Sequence, residues 1–423
     1  MKKNLLFISL FFIAWSSFCS NKKIIDKLEY PIVIEQKAES EYAMICTNGM
    51  VFIKADFAVE NDRSFPFVFL LDTGSASSSF FSEDFFYSDD FILYQIDGSN
   101  YLLGDAKCEG FTVNNLFLYE NNNHNSILAE LKKIFGSKYY FGIIGNDVLM
   151  QKSFLLSISQ GYFKWTDRNP FDEQDDCISP DMDRVCSTRG KTDFYQYSIY
   201  IEDKYFKSNV NDNPIFGFFN SPDKSKSRYF IDTGTYYIAT SMIDLYYQIK
   251  EHDYNNIIYK TEIASQIGFC EIPKMNLLEK VFFGVQVMAG GTPEFFKCLG
   301  NQVLAAFDIF FDKENSTKVQ KVYLRKVADD FYQIYRTKND ATYYYPAYSF
   351  GFSMNLNGRV TRKAFLNEKE LLRDVEIGDE IISFNDIPYE MVCLWKLPEK
   401  ITIHIKKKNG KIKSVSAKKY HLK

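Results

Sequence analysis

The sequence predicts a mainly β protein built from two duplicated lobes, followed by a small β-rich C-terminal domain. Three observations predict it. Leu70-Leu71-Asp72-Thr73-Gly74-Ser75 follows the apolar run Phe65 to Leu71, and Ile231-Asp232-Thr233-Gly234-Thr235 follows Arg228-Tyr229-Phe230, with 232 − 72 = 160 residues between the aspartates. Each triplet is trailed by apolar-apolar-Gly-Asn-x-Val-Leu, at Ile143-Ile144-Gly145 after 145 − 72 = 73 residues and at Cys298-Leu299-Gly300 after 300 − 232 = 68. Short strand-like runs bounded by turn residues fill both intervals. One Asp-Thr-Gly-Ser/Thr tetrapeptide arises by chance in roughly one chain in a hundred of this length. Two copies with matched trailing motifs mark an internal duplication of about 155 residues.

The chain begins as a targeting segment. Lys2-Lys3 precedes an apolar run from Leu5 to Phe18, too short for a transmembrane helix, and Ser17-x-Cys19 ends it. Residues 1–19 therefore read as a signal peptide. Cys19 also sits where a bacterial lipoprotein carries its lipidated cysteine, so a lipid anchor at Cys19 is a second reading, although Phe18 departs from the small residue usual there. Residues 20–45 are polar and mixed and read as a tether. Nothing later in the chain reads as a membrane span.

The first lobe is expected over residues 46–166. Met50 to Val59 reads as a strand bent near Asp56, and Phe65 to Leu71 as the strand that delivers Asp72. Phe91 to Ile96, Tyr101 to Leu103 and Phe111 to Tyr119 follow as strands, with Asp97-Gly98 as a hairpin turn. Ile127 to Phe135 has helical spacing; Phe154 to Ile158 and Gly161 to Trp165 alternate like strands. Residues 167–193 carry seven acidic residues before Asp193 and read as a solvated linker, since their spacing does not match a twelve-residue calcium loop. The second lobe is expected over 194–328, with strands at Tyr195 to Ile201, Ile215 to Phe219, Tyr229 to Ile231, Lys280 to Met288, Phe307 to Phe311 and Val319 to Leu324, and a helix at Ser241 to Lys250. Asp329 to Tyr345 reads as a polar, tyrosine-rich connection. The third unit, 346–423, ends in a hairpin around Asn409-Gly410.

Composition narrows the function. The chain has 423 residues, 46% hydrophobic and 25% charged, which supplies two or three packed domains. A net charge of −4 lacks the basic footprint of a nucleic-acid partner. The four histidines have no metal-ligand spacing, no glycine-rich phosphate loop is present, and no cofactor or metal is expected. Export permits disulfides. Cys177 with Cys186, Cys46 with Cys108, and Cys270 with Cys298 are candidate pairs, with Cys393 left over; the alternative, that several are small buried hydrophobes, stays open. The lysines of the tail, Lys406 to Lys408, Lys411, Lys413, Lys418 and Lys419, read as a solvated hairpin face.

A strand ending in Asp places a carboxylate at the strand tip, and Thr-Gly turns the chain sharply after it. Glycine permits two such loops to face each other closely. Two carboxylates at that distance cannot both ionise easily, so they share a proton. One can then take a proton from water while the other gives one to an amide.

The paired Asp-Thr-Gly-Ser/Thr elements with their trailing apolar-apolar-Gly motifs resemble the pepsin and retropepsin-like aspartic proteases, most closely bacterial exported retropepsin-like proteins with a PDZ domain. The resemblance covers most of residues 45 to 328 and implies a bilobal double-β-barrel acid-protease fold. It implies a dyad of Asp72 and Asp232, with Thr73, Gly74, Ser75, Thr233, Gly234 and Thr235 shaping the loops, and Cys298 as an unusual residue at its position. It further implies a flap hairpin, for which Tyr94 and Tyr101 are the candidate tyrosines. Asp72 lies close to this hairpin for a pepsin, which suggests a smaller, retropepsin-like lobe. Ser349-Phe350-Gly351-Phe352 resembles the PDZ loop that binds a peptide's C-terminal carboxylate, with a short charged helix over Asn367 to Arg373. The function implied is an exported aspartic endopeptidase acting on polypeptide substrates, with a peptide ligand for the PDZ-like domain. The alternative is a catalytically inactive peptide-binding protein of the cell envelope that keeps the fold.

Overall fold

The computed structural model describes most of residues 22–419; the longest intervals outside it are 203–225, 242–255 and 339–349. The segment expected to be a signal peptide, with Cys19, the strand expected at Ile215 to Phe219, the helix expected after Ser241, and Ser349 all lie outside the described residues. The protein is mainly β, 53% strand and 12% helix.

The duplication is written in the order of the strands. One sheet runs Lys22–Ile24, Leu93–Ile96, Ser99–Cys108, Phe111–Asn121, Ser79–Phe81, Tyr140–Ile144, Arg63–Leu71, Met50–Val59, Ile45–Thr47. Another runs Phe352–Met354, Val360–Leu366, Asn256–Thr261, Ile267–Leu277, Lys280–Gly290, Ile238–Ser241, Cys298–Leu299, Lys226–Ile231, Thr192–Glu202, Met182–Arg189. The eight strands from Leu93–Ile96 to Ile45–Thr47 and the eight from Asn256–Thr261 to Met182–Arg189 correspond in order; Lys22–Ile24, parallel to its neighbour, and Val360–Leu366, antiparallel to its neighbour, lie outside the correspondence. In each, the strand that ends at the aspartate pairs in parallel with the strand that ends in the trailing motif: Leu71 with Ile144, and Ile231 with Leu299. These strands are buried on both faces, which is why Phe67 to Leu71 is an unbroken apolar run rather than an alternating one.

A six-stranded sheet joins the halves. Its central pair is Phe154–Ser157 from the first half and Phe307–Asp312 from the second, antiparallel, with Leu156 opposite Ile309. Tyr162–Trp165 and Lys321–Lys326 flank this pair. One continuous core runs from Val51 and Phe69 through Trp165 to Ile231 and Phe311. Asn125–Phe135 is a helix, as its spacing predicts. It lays Ile127, Leu128 and Leu131 against Phe52, Val68 and Phe141 on the outer side of the first sheet.

Several expectations are corrected. Residues 20–45 are not a tether. Lys22–Ile24, Val33–Gln36 and Tyr42–Ala43 join three different strands, and Tyr42 is buried beside Phe111, Phe163 and Trp165. Residues 167–193 are not a free linker either: Cys177–Ile178 pairs with Lys321–Lys326, and Met182–Arg189 is a full strand of the second half. Cys46, Cys108, Cys177 and Cys298 are free thiols, which overturns the three candidate disulfides. Burial replaces cross-linking for Cys46 and Cys108, whose thiols it pushes up to about 11 and about 12. The connection expected from Asp329 begins with a helix, Asp329–Lys338. No helix is formed at Asn367 to Arg373 among the described residues; Lys369–Glu370 is a short strand on Val360–Leu366.

The C-terminal unit has its own core, with Phe350, Phe352, Val375, Phe384, Ile403 and Val415 buried together. Ile387–Pro388, Glu380–Phe384, Lys400–Lys406 and Ile412–Lys418 form its four-stranded sheet, closed by the expected hairpin with Gly410 at φ +82°. Its strand Val360–Leu366 also pairs antiparallel with Asn256–Thr261, Tyr259 opposite Ala364, so this unit extends the sheet of the second half.

Candidate active site

Asp72 and Asp232 are brought together at the centre of the molecule. Each follows its strand, and each backbone amide is tied to the trailing motif of its own half: Asp72 N–H to the Ile144 carbonyl at 3.0 Å, Asp232 N–H to Leu299 at 3.1 Å. A Cβ built on Gly74 would lie 2.5 Å from Cγ of Asp232, and one on Gly234 would lie 2.5 Å from Cγ of Asp72. Only glycine lets the two turns approach this closely.

The turns hold each other through their threonines. Thr73 N–H donates to Thr233 Oγ1 at 2.9 Å, and Thr233 N–H donates to Thr73 Oγ1 at 3.2 Å. The hydroxyls then donate across the interface, Thr73 to the Ile231 carbonyl and Thr233 to the Leu71 carbonyl, at 2.9 and 2.6 Å. Both threonines are buried, at 2% and 0% exposure, so these bonds are shielded from water.

The carboxylates are aimed by the amides that follow them. Asp72 Oδ1 accepts from Gly74 N–H at 2.8 Å and Ser75 N–H at 3.1 Å; Asp232 Oδ1 accepts from Gly234 N–H at 2.9 Å. Ser75 turns its hydroxyl to the Ser77 carbonyl, while the carbonyls of Ser75 and Thr235 accept the amides of Asn146 and Asn301.

Burial and the adjacent Asp232 carboxylate hold Asp72 well above the usual carboxylate range. Burial also raises Asp232, against the lowering effect of hydrogen bonds from Asp72, the Gly234 amide and the Cys298 thiol. The pair is thus suited to hold one proton between two carboxyls, one acting as base and the other as acid.

Two features were spelled in the motif without a role attached. Asn146 Nδ2 donates to the Thr73 carbonyl at 2.9 Å, and Asn301 Nδ2 to the Thr233 carbonyl at 2.8 Å, so each asparagine braces its Asp-Thr-Gly turn from beneath. Their signal was the shared Gly-Asn step, which needs the fold to acquire a meaning. Asp147, one residue on, accepts from the Ser78 amide and hydroxyl, and the same hydroxyl accepts from Gly145 N–H. Burial pushes Asp147 up to about 6. The position matching Asp147 is Gln302, so the two turns are braced differently.

The remaining candidates lie on other elements. Tyr94 and Tyr101 face each other across the hairpin formed by Leu93–Ile96 and Ser99–Cys108, whose turn at Asp97-Gly98 has φ of +48° and +81°. Tyr101 stacks on Phe117 at 4.6 Å, and Tyr94 lies 6.3 Å from the same ring. In the C-terminal unit, Phe350 and Phe352 are fully buried and Gly351 has φ +91°, where a Cβ would press on Leu371 and Leu372 at 3.0 and 3.2 Å. Phe352–Met354 follows at the end of its sheet.

No protein-family model matches the chain, and no curated protein matches it in sequence.

Proposed function

We propose that the protein is an aspartic-type endopeptidase with a bilobal double-barrel acid-protease fold and a C-terminal PDZ-like domain. The observation that carries this reading is the symmetric lock of the two Asp-Thr-Gly turns, which holds two proton-sharing carboxylates face to face. In the reaction, the ionised carboxylate takes a proton from water as its oxygen attacks the amide carbon of the substrate. The protonated carboxyl gives its proton to the carbonyl oxygen, forming a tetrahedral diol. The diol then collapses: its hydroxyl proton returns to one carboxylate, the amide nitrogen takes a proton from the other, and the C–N bond breaks. The preorganised turns avoid reorganisation during these transfers.

The hairpin 93–108 is the segment that covers the substrate in this reading, with Tyr94 and Tyr101 as its tyrosines. The loop through Phe350, Gly351 and Phe352 receives a peptide's C-terminal carboxylate, and the terminal strand Phe352–Met354 accepts the peptide by strand addition. Residues 1–19 direct export, placing the enzyme in the periplasm, in the cell envelope or outside the cell.

An unbiased peptide library incubated with residues 20–423 from acidic to neutral pH tests the proposal. Cleavage by the parent that is lost in both Asp72→Asn and Asp232→Asn supports it. Cleavage that survives either substitution contradicts the dyad, and a parent inert at every pH contradicts the enzyme.

A further inference from the structure

The helix Asp329–Lys338 lies outside both duplicated halves, between the second half and the C-terminal unit. Its residues Tyr332 and Tyr335, three apart on one face, are 3% and 2% exposed. Tyr332 Oη donates to the Gln302 carbonyl at 2.5 Å, and Tyr335 Oη to the Gly49 carbonyl at 3.4 Å. The same Gly49 carbonyl accepts from Asn301 Nδ2 at 2.9 Å, and that nitrogen also donates to the Thr233 carbonyl. Gly49 has no room for a side chain. It sits at φ +73°, and a Cβ there would fall 2.2 Å from the Tyr236 ring. A short buried chain therefore runs from the helix through Gly49 and Asn301 to the peptide unit beyond Asp232.

The first turn has a different arrangement. Its brace is internal, from Ser78 and Asp147 beside Asn146. Gln302, which takes the place of Asp147, instead presents its carbonyl to Tyr332. The second turn, besides the brace from Asn301 of its own half, is tied to the helix.

We propose that Tyr332 and Tyr335 are positioning residues for the turn that carries Asp232, acting through Gln302, Gly49 and Asn301. This rests on the dyad reading above in so far as it concerns turnover; the mechanical coupling stands on the hydrogen bonds alone. The competing account is that both tyrosines only fasten the helix to the core, where Tyr332 meets Phe282 edge-on at 5.8 Å.

Tyr332→Phe, Tyr335→Phe and the double variant remove the hydroxyls while keeping the rings, in the full chain. Amide hydrogen exchange is read by mass spectrometry over residues 229–237 and 69–77, beside turnover and thermal unfolding. The expected result is exchange at least about threefold faster over 229–237 in the double variant, with a smaller change over 69–77. In the same variant kcat falls about tenfold and KM stays within about twofold, at temperatures where the protein remains folded. Unchanged exchange over 229–237, or exchange that rises evenly along the chain with the loss of stability, would overturn the proposal. A parent that cleaves nothing refutes the enzymatic reading, and the exchange comparison still decides this one.

Discussion

Thr73 and Thr233 are reciprocal partners: each backbone amide donates to the other's hydroxyl oxygen, at 2.9 and 3.2 Å. Each hydroxyl in turn donates to the residue before the opposite aspartate. Replacing Thr233 by Val keeps the shape and leaves the Thr73 amide and Leu71 carbonyl without partners. Each such buried group costs about 1–3 kcal/mol. Thr233→Val and Thr73→Val are expected to lower stability by about 2–4 kcal/mol in denaturant titration, with a turnover loss of about a hundredfold or more. Thr→Ser at either position keeps the hydroxyl and should retain most of both.

Gly74 and Gly234 are expected to tolerate no side chain. An alanine methyl at either would stand 2.5 Å from the opposite aspartate's Cγ, so the turns must separate. A displacement of about 1 Å is enough to cost about a hundredfold in rate. Gly74→Ala and Gly234→Ala should remain folded by circular dichroism while losing cleavage. Near-parental turnover in either would show that the carboxylates do not need this approach.

The stability of the protein should depend on pH through its raised carboxyls. Asp147 is pushed by burial to about 6, above its ordinary value near 3.8. A folded-state pKa above the unfolded one means the folded protein binds the proton more tightly. That stabilisation is complete below the ordinary carboxylate pKa and is lost as pH rises through about 6. Asp72 and Asp232, both raised, act in the same direction. Urea unfolding between pH 4 and 7 should show stability falling with pH, and a smaller fall in Asp147→Asn. An equal slope in parent and variant would remove Asp147 from the account.

Cys298 makes the dyad asymmetric. Its buried thiol hydrogen-bonds to Asp232, and burial together with that carboxylate hold the thiol well above its ordinary range. The matching residue of the first half is Ile143, which offers no donor. The thiol favours the ionised form of Asp232, so Cys298→Ala should raise the pKa that governs the acidic limb of the rate profile. The expected shift is upward, with partial return in Cys298→Ser. A profile that stays fixed in Cys298→Ala would show that the thiol is only a small core residue.

The part of the architecture that carries the paired aspartates was legible because the residues that build it leave little freedom. Asp72-Thr73-Gly74 and Asp232-Thr233-Gly234 recur with matched spacing, and the apolar run Phe65 to Leu71, bounded by turn residues, has the length of a strand. The segments that were misread are those whose structure depends on a partner. Lys22–Ile24 and Val33–Gln36 are polar because they are added to the borders of a sheet, and pairing rather than burial holds them in place. The helix Asp329–Lys338 hides its inward face because that face is made of Tyr332 and Tyr335, whose polar tips read as surface, while Phe331 and Ile334 are exposed. Asn146 and Asn301 were visible as letters of the motif, but only the parallel pairing of the two strands within each half sets them beneath the Thr73 and Thr233 carbonyls that they brace. The cysteines misled because spacing alone carries no information about which thiols are simply buried.

The most direct test of the central claim compares turnover in Asp72→Asn, Asp232→Asn and the double variant with the parent on one cleaved peptide. Residues that act as one unit lose nearly the same activity singly and together. If Asp72 and Asp232 share a proton and a water, the three variants should fall to one common residual rate. Losses that multiply in the double variant, or a single variant that keeps near-parental turnover, would contradict a shared catalytic dyad.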